Sequence, residues 1–230
     1  MRIIFVRHGH PNYELDCLTE LGHKHGEAVA KRLKKEPIEK IYSSSCGRAM
    51  ETAEHIDVNF GLGVEKLEFM REIKWGSADG APVYADGHPW MSSDYMVAEG
   101  MDLLSPSWRE TEPYRNNKVV AAADTLGEKF DEWLVALGYK REGQYYRVEN
   151  ENHRTIVLVS HGGASSAALA HLFNLPFSFV CSAICPDYTA VTVVSLSGKE
   201  GEKIAPRFEL MNDARHIREI EKETEGFVFA

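Results

Sequence analysis

Two histidines stand at the ends of apolar runs, and glycine follows each. Ile3-Ile4-Phe5-Val6 leads into Arg7-His8-Gly9, and Thr155-Ile156-Val157-Leu158-Val159 leads into Ser160-His161-Gly162-Gly163. Short β-branched runs of this kind predict buried parallel strands, and a polar residue just past such a strand lies in the crevice where open α/β sheets bind ligands. The two imidazoles are therefore expected in one pocket. An arginine beside the first, and glycines that let backbone approach a bound group, point to an oxyanion such as phosphate. A lone histidine after a strand is more often a hydrogen-bonded structural residue, and His23, His25, His55, His153, His171 and His216 are read that way. His8 and His161 differ because their contexts repeat.

The elements that must position these groups follow from periodicity and punctuation. The pattern predicts a strand over residues 2–6, a helix capped by Thr19 and running to about residue 35 before Pro37, and a strand over 38–43. A helix over 47–58 and a strand over 64–69 come next. Val119, Ala123, Leu126, Phe130, Trp133, Leu134 and Leu137 recur in steps of three and four, an amphipathic helix from Lys118 stopped at Gly138. Glu142-Gly143 offers the turn of a small hairpin between 139–141 and 144–148. A strand over 155–160, a helix over 163–173 and strands over 189–196 and 203–210 complete the sheet; the charged tail from Asp213 is either helical or loose. Residues 76–117 are rich in Gly, Pro, Trp and Tyr, have no long periodic run except about 89–104, and read as an insertion folded over the site. The alternation predicts an α/β fold, a three-layer α/β/α sandwich with a mostly parallel central sheet, as one domain over 1–230 with a lid-like insertion at about 76–117.

Composition excludes several function classes. A formal net charge of -9 argues against general nucleic-acid or membrane-surface binding, so a phosphate must be drawn by local charge. With no secretory signal and no run long enough to cross a bilayer, the protein is expected to be soluble and cytoplasmic. Cys17, Cys46, Cys181 and Cys185 form no Cys-x-x-Cys pair, so reduced thiols are expected. The histidines show no zinc-ligand spacing, and His23 and His25 cannot share a helix face. No metal and no other cofactor is expected, and no segment marks an oligomeric interface.

Arg7-His8-Gly9 directly after a first strand resembles the signature of the histidine phosphatase superfamily, which includes the cofactor-dependent phosphoglycerate mutases. Further segments match in order: Leu18-Thr19-Glu20-Leu21-Gly22 at the first helix, residues 41–54 at the second strand and helix with Arg48 as second phosphate-binding arginine, 70–76 with Glu72 as the acid, and 159–163 with His161 as the second histidine. The resemblance spans roughly residues 1–196, with a poorly matched stretch between Gly76 and Asn117. It implies a metal-independent phosphomonoesterase acting on a small phosphorylated substrate through a phosphohistidine. A phosphate monoester resists attack by another anion, so a neutral imidazole is a suitable nucleophile and cationic forks suit the equatorial oxygens. His8 is then the nucleophile, kept neutral by Arg7 and Arg48, which grip the oxygens. His161 donates to the transferring phosphoryl beside the helix start at Gly162, and Glu72 protonates the leaving oxygen and later takes a proton from water.

Departures from the family bear on substrate. Tyr13-Glu14 stands where the mutases carry Trp-Asn, and an acidic residue there weakens binding of a second phosphate. The mutases' long basic substrate segment has no clear equivalent, although Arg109, Arg115 and Lys118 could partly substitute. Phosphatase activity is therefore favoured over phosphoglycerate mutase-type transfer, and the presence of all the chemical residues counts against a non-catalytic phosphate-binding protein. Asn12, Trp108 and Arg109 are the expected specificity residues. Trp75, Trp90, Tyr95, Trp108 and Tyr114 form either an aromatic lid over an organic leaving group or the insertion's own small core.

Overall fold

The computed structural model describes residues 1–223. At its centre lie six strands, β1 (Arg2–Arg7), β2 (Ile38–Ser43), β3 (Val64–Lys66), β4 (Thr155–Ser160), β5 (Val191–Ser195) and β6 (Arg207–Asp213), in the spatial order β6-β5-β1-β4-β2-β3. Strands β1, β4, β2 and β3 pair in parallel, whereas β5 runs antiparallel to both of its neighbours. Alternate side chains of one strand face opposite sides of the sheet. Ile3, Phe5, Ile156 and Leu158 accordingly join one core, while Ile4, Val6, Val157 and Val159 join the other. Burial on both faces is why β1 and β4 read as unbroken apolar runs.

Seven helices surround the sheet among the described residues: α1 (Glu20–Leu33), α2 (Gly47–Asp57), α3 (Pro89–Ala98), α4 (Lys118–Ala136), α5 (Gly162–Phe173), α6 (Phe177–Ala183) and α7 (Arg218–Glu223). Val29 and Leu33 of α1 and Ala49, Ala53 and Ile56 of α2 cover one face. Leu126, Phe130 and Leu134 of α4 and Ala164, Ala168 and Leu172 of α5 cover the other, giving the three layers. Thr19 caps α1 as its side chain accepts from Gly22 N at 3.1 Å, and Asn117 caps α4 by accepting from Val119 N at 3.0 Å.

The insertion is closed at its root. Ser77 bridges to Asn117, and Lys118 N donates to Gly76 O at 2.8 Å. Its Met96, Trp108 and Tyr114 join the same core as α4 and α5, and Ser93 Oγ donates to Ser178 O of α6 at 3.0 Å.

Several boundaries differ from expectation. The strand expected over 203–210 is two strands: Lys203–Ile204 joins the hairpin of Tyr139–Glu142 and Tyr145–Val148, and β6 edges the main sheet. Pro206 between them has no N–H for a ladder and restricts the residue before it. The third strand stops at Lys66 and gives way to a 3₁₀ turn, Glu68–Met70, that aims the next residues at the sheet end. Helix α6 was not expected, because seven residues with aromatic and β-branched character carry too little period to read. The charged tail from Asp213 passes through a turn into α7, and residues 224–230 lie outside the described residues.

Candidate active site

Strands β1 and β4 are paired in register, with Arg7 opposite Ser160, so the residues that follow them emerge side by side. His8 N donates to Ser160 O at 2.9 Å, and the two imidazole centroids are 5.1 Å apart at 62°. His8 is 2% exposed and His161 is fully buried. The protons on both rings can be placed from their partners. His8 Nδ1 lies 2.7 Å from the carbonyl of Gly9, which can only accept, so Nδ1 carries the proton and Nε2 presents a lone pair. That lone pair accepts from Arg48 Nε at 3.3 Å. Arg48 Nη2 also donates to His161 Nδ1 at 3.0 Å, which leaves the His161 proton on Nε2, 2.8 Å from Ser44 Oγ.

Charge and burial reinforce this state. Burial first, then Arg7, His161 and Arg48, hold His8 well below the usual histidine range. Burial, then Arg48, Arg7 and Arg71, lower His161 to about 3. Both rings are thus neutral near pH 7. In this arrangement His161 accepts from Arg48 at the atom facing the site. Its expected role as a donor to a phosphoryl needs the other tautomer, which the Ser44 hydroxyl permits because it can donate as readily as accept.

The arginines enter from different elements. Arg48 sits in the first turn of α2 and is 9% exposed. Its Nη1 is ion-paired with Asp16, whose other carboxylate oxygen accepts from Gly47 N at 2.8 Å. Arg7, at the end of β1, donates through Nη1 to Pro186 O and lays its guanidinium 4.3 Å from the Tyr188 ring centroid. Its Nε is buried with no hydrogen-bond partner, a donor directed to a place where an acceptor belongs. A Cβ on Gly162 would come 3.8 Å from that Nε and 3.3 Å from the Trp90 ring, so glycine keeps the backbone close to both.

Glu72 arrives from the segment after the 3₁₀ turn, which Ser160 Oγ fastens to β4 by donating to Met70 O at 2.7 Å. Its carboxylate accepts from Ile73 N at 3.0 Å, Ala164 N at 2.9 Å and Gly163 N at 3.3 Å. The start of α5, expected to face the phosphate, is therefore occupied at Gly163 and Ala164 by a carboxylate of the protein itself. A Cβ on Gly163 would lie 2.7 Å from Glu72 Oε1. Burial raises the Glu72 carboxyl above the usual range, outweighing the three N–H donors that lower it.

His8, His161, Arg7, Arg48, Gly162 and Glu72 are thus brought to one end of the sheet. Of the three expected specificity residues, Trp108 and Arg109 make their contacts elsewhere. Asn12 serves its own turn, its Oδ1 accepting from Glu14 N and Leu15 N at 3.1 Å. Trp108 is buried between Tyr114 and Phe177, and Arg109 pairs with Asp124 of α4. Their contacts belong to the insertion's core and its outer face; an aromatic ring that fills a core cannot also line a mouth. Trp90 is the aromatic of the insertion that reaches Gly162, with its Nε1 donating to Ile184 O at 3.1 Å. Sequence reading missed Asp16, Ser44 and Tyr188. Ser44 lies four residues before Arg48, which gave a weak signal, whereas Asp16 and Tyr188 come from irregular connections that gave none.

The family description of the histidine phosphatase superfamily (branch 1) matches residues 3–208. A glucosyl-3-phosphoglycerate phosphatase of Mycobacterium tuberculosis (strain CDC 1551 / Oshkosh) is 30% identical over 184 residues, 76% of this chain and 76% of that one. A mycobacterial glucosyl-3-phosphoglycerate phosphatase solved with inorganic phosphate is similar at a TM-score of 0.62 and 27% identity, over 94% of this chain and 98% of that one. A phosphoserine phosphatase of Entamoeba histolytica, solved with phosphoserine, has the same fold at a TM-score of 0.60 and 22% identity, over 94% of this chain and 98% of that one.

Proposed function

Since the chain belongs to the histidine phosphatase superfamily and is a phosphoric monoester hydrolase, we propose that His8 takes up the phosphoryl group of a small organic phosphomonoester without help from a metal ion. The observation that carries this reading is that one guanidinium, Arg48, donates to both imidazoles at once, which marks a focus the size of a single oxyanion.

The lone pair on His8 Nε2 attacks phosphorus in line with the ester oxygen. The N–P bond forms as the P–O bond breaks, with Arg7, Arg48 and His161 holding the equatorial oxygens where charge develops. Glu72, whose carboxyl burial raises above the usual range, serves as the acid that gives a proton to the leaving oxygen. The resulting carboxylate then takes a proton from water, which attacks phosphorus, breaks the N–P bond and releases inorganic phosphate. Glu14, exposed beside Tyr13, whose ring lies 5.3 Å from the Arg48 guanidinium, disfavours a second phosphate and supports hydrolysis over mutase transfer. The net charge of -9 supports a small-molecule substrate over a nucleic acid. The four free cysteines support a reducing compartment such as the cytoplasm.

The test is rapid acid-quench and alkaline-quench labelling with a phosphate-labelled aryl phosphate in the presence of a chelator. An acid-labile, base-stable phosphoryl group on His8, absent from His8→Ala, is the expected result. Label on a serine or an aspartate would overturn the reading.

A further inference from the structure

The segment between β1 and α1 contributes a residue that the reaction scheme has not used. Asp16 lies in an exposed connection and adopts φ 51°, a left-handed conformation that costs a non-glycine residue energy and is held only where surrounding contacts fix it. Those contacts converge on the start of α2. One carboxylate oxygen pairs with Arg48 Nη1 and the other accepts from Gly47 N at 2.8 Å. Two residues on, Leu18 N donates to Glu51 Oε2 of α2 at 2.6 Å, a second fastening of the same connection. The approach is close: a Cβ on Gly47 would stand 2.1 Å from the Asp16 carbonyl oxygen, so glycine is required there.

The guanidinium of Arg48 is planar, and its Nε and Nη2 form one two-donor edge. That edge faces His8 Nε2 and His161 Nδ1, while Nη1, outside it, is the nitrogen taken by Asp16. We propose that Asp16 is a positioning residue for Arg48, a carboxylate that ties the outer nitrogen back to the helix carrying the arginine and so presents the two-donor edge to the transferring phosphoryl group. The proposal rests on the role given to Arg48 above. An arginine side chain has several rotatable bonds, and fixing its tip before substrate arrives removes the entropy cost of ordering it in the transition state. Asp16 acts on the arginine, and the carboxylate touches no reacting atom.

Steady-state kinetics on a chelator-treated aryl phosphatase assay test it through a double-mutant cycle. Asp16→Ala is expected to lower kcat by on the order of 10- to 100-fold with little change in KM, because a misplaced Arg48 fails mainly where charge develops. Vanadate inhibition should weaken by a similar factor. In an Arg48→Ala background the same change should cost less than about twofold, because the residue through which it acts is gone. Asp16→Asn, nearly isosteric, can accept from only one of the two N–H donors and should lose activity in the same sense, which guards against a loosened loop in the alanine variant. An equal loss with and without Arg48, or a gain in kcat/KM that would make Asp16 a competitor of phosphate, overturns the proposal and leaves the reaction scheme standing. Arg48→Ala with wild-type turnover overturns both.

Discussion

The phosphoryl end of the sheet and the inserted segment at 76–117 are built by opposite rules. At the sheet end these chemical side chains sit within two residues of the boundary of a regular element: Arg7 and His8 at the end of β1, His161 just after β4, Arg48 in the first turn of α2. Position there is inherited from strand register and helix start, and little adjustment remains possible. The insertion is held instead by side-chain bonds to backbone, such as Tyr114 Oη to Pro89 O at 2.9 Å and Asn117 Nδ2 to Gly87 O at 2.8 Å, around its own aromatic residues. Ala85 and Asp86 within it both take positive φ. We propose a matching division of work, in which chemistry common to every ester is fixed by the sheet and discrimination among esters falls to the few insertion atoms that reach it.

Replacing Arg7 with alanine is the harshest of the tests that bear on this division. Loss of a charged donor aimed at developing charge should cost about 3–4 kcal/mol in kcat/KM, and the cost should be alike for alkyl and aryl esters. A loss confined to one ester would move Arg7 to the discriminating side.

Glu72→Gln should sharpen the division by splitting substrates on chemistry alone. Esters with high-pKa leaving groups are expected to lose about 100-fold, and activated aryl phosphates little, since these leave without a proton. The sign of the pH dependence follows. With its pKa raised by burial, Glu72 stays protonated above the usual carboxyl range, and kcat for poor leaving groups falls as pH rises through that raised value. His8 and His161 both lie below the usual histidine range, so neither adds a limb within that range. Equal alkaline limbs in wild type and Glu72→Gln would remove Glu72 from the proton step.

The smallest effects are expected in the insertion. Trp90→Ala should shift relative activity among organic phosphates severalfold, yet leave inhibition by inorganic phosphate nearly unchanged. Arg109→Ala, its partner Asp124 being on the outer face, should leave turnover within about 0.5 kcal/mol of wild type. Phosphate inhibition that weakens in Trp90→Ala would break the comparison.

The legible part of the molecule is the part that repetition and register determine. Two apolar runs ending in His-Gly were enough to place both imidazoles, because parallel strands in register bring their following residues together. Three adjacent serines show why the remainder was not legible. Ser43 Oγ donates to Ser44 O, Ser44 Oγ meets His161, and Ser45 Oγ donates to Glu68 of the 3₁₀ turn. The same side chain has three fates over three residues, decided by the alternation at a strand end. Asp16 and Tyr188 depend on loop conformations that no period encodes. The split of 203–210 turned on one proline, and Trp108 could have filled either a core or a mouth on composition alone.

The unpartnered Nε of Arg7 has a consequence for the fold itself. Two guanidinium groups stand beside two desolvated imidazoles, and an inorganic phosphate held among them would accept from the idle donor and offset their charge. The reaction product would then also be a folding ligand. At a hundredfold excess over its dissociation constant a ligand of the native state adds about 2.7 kcal/mol to stability, so the melting temperature of this protein is expected to rise with the phosphate content of the solution.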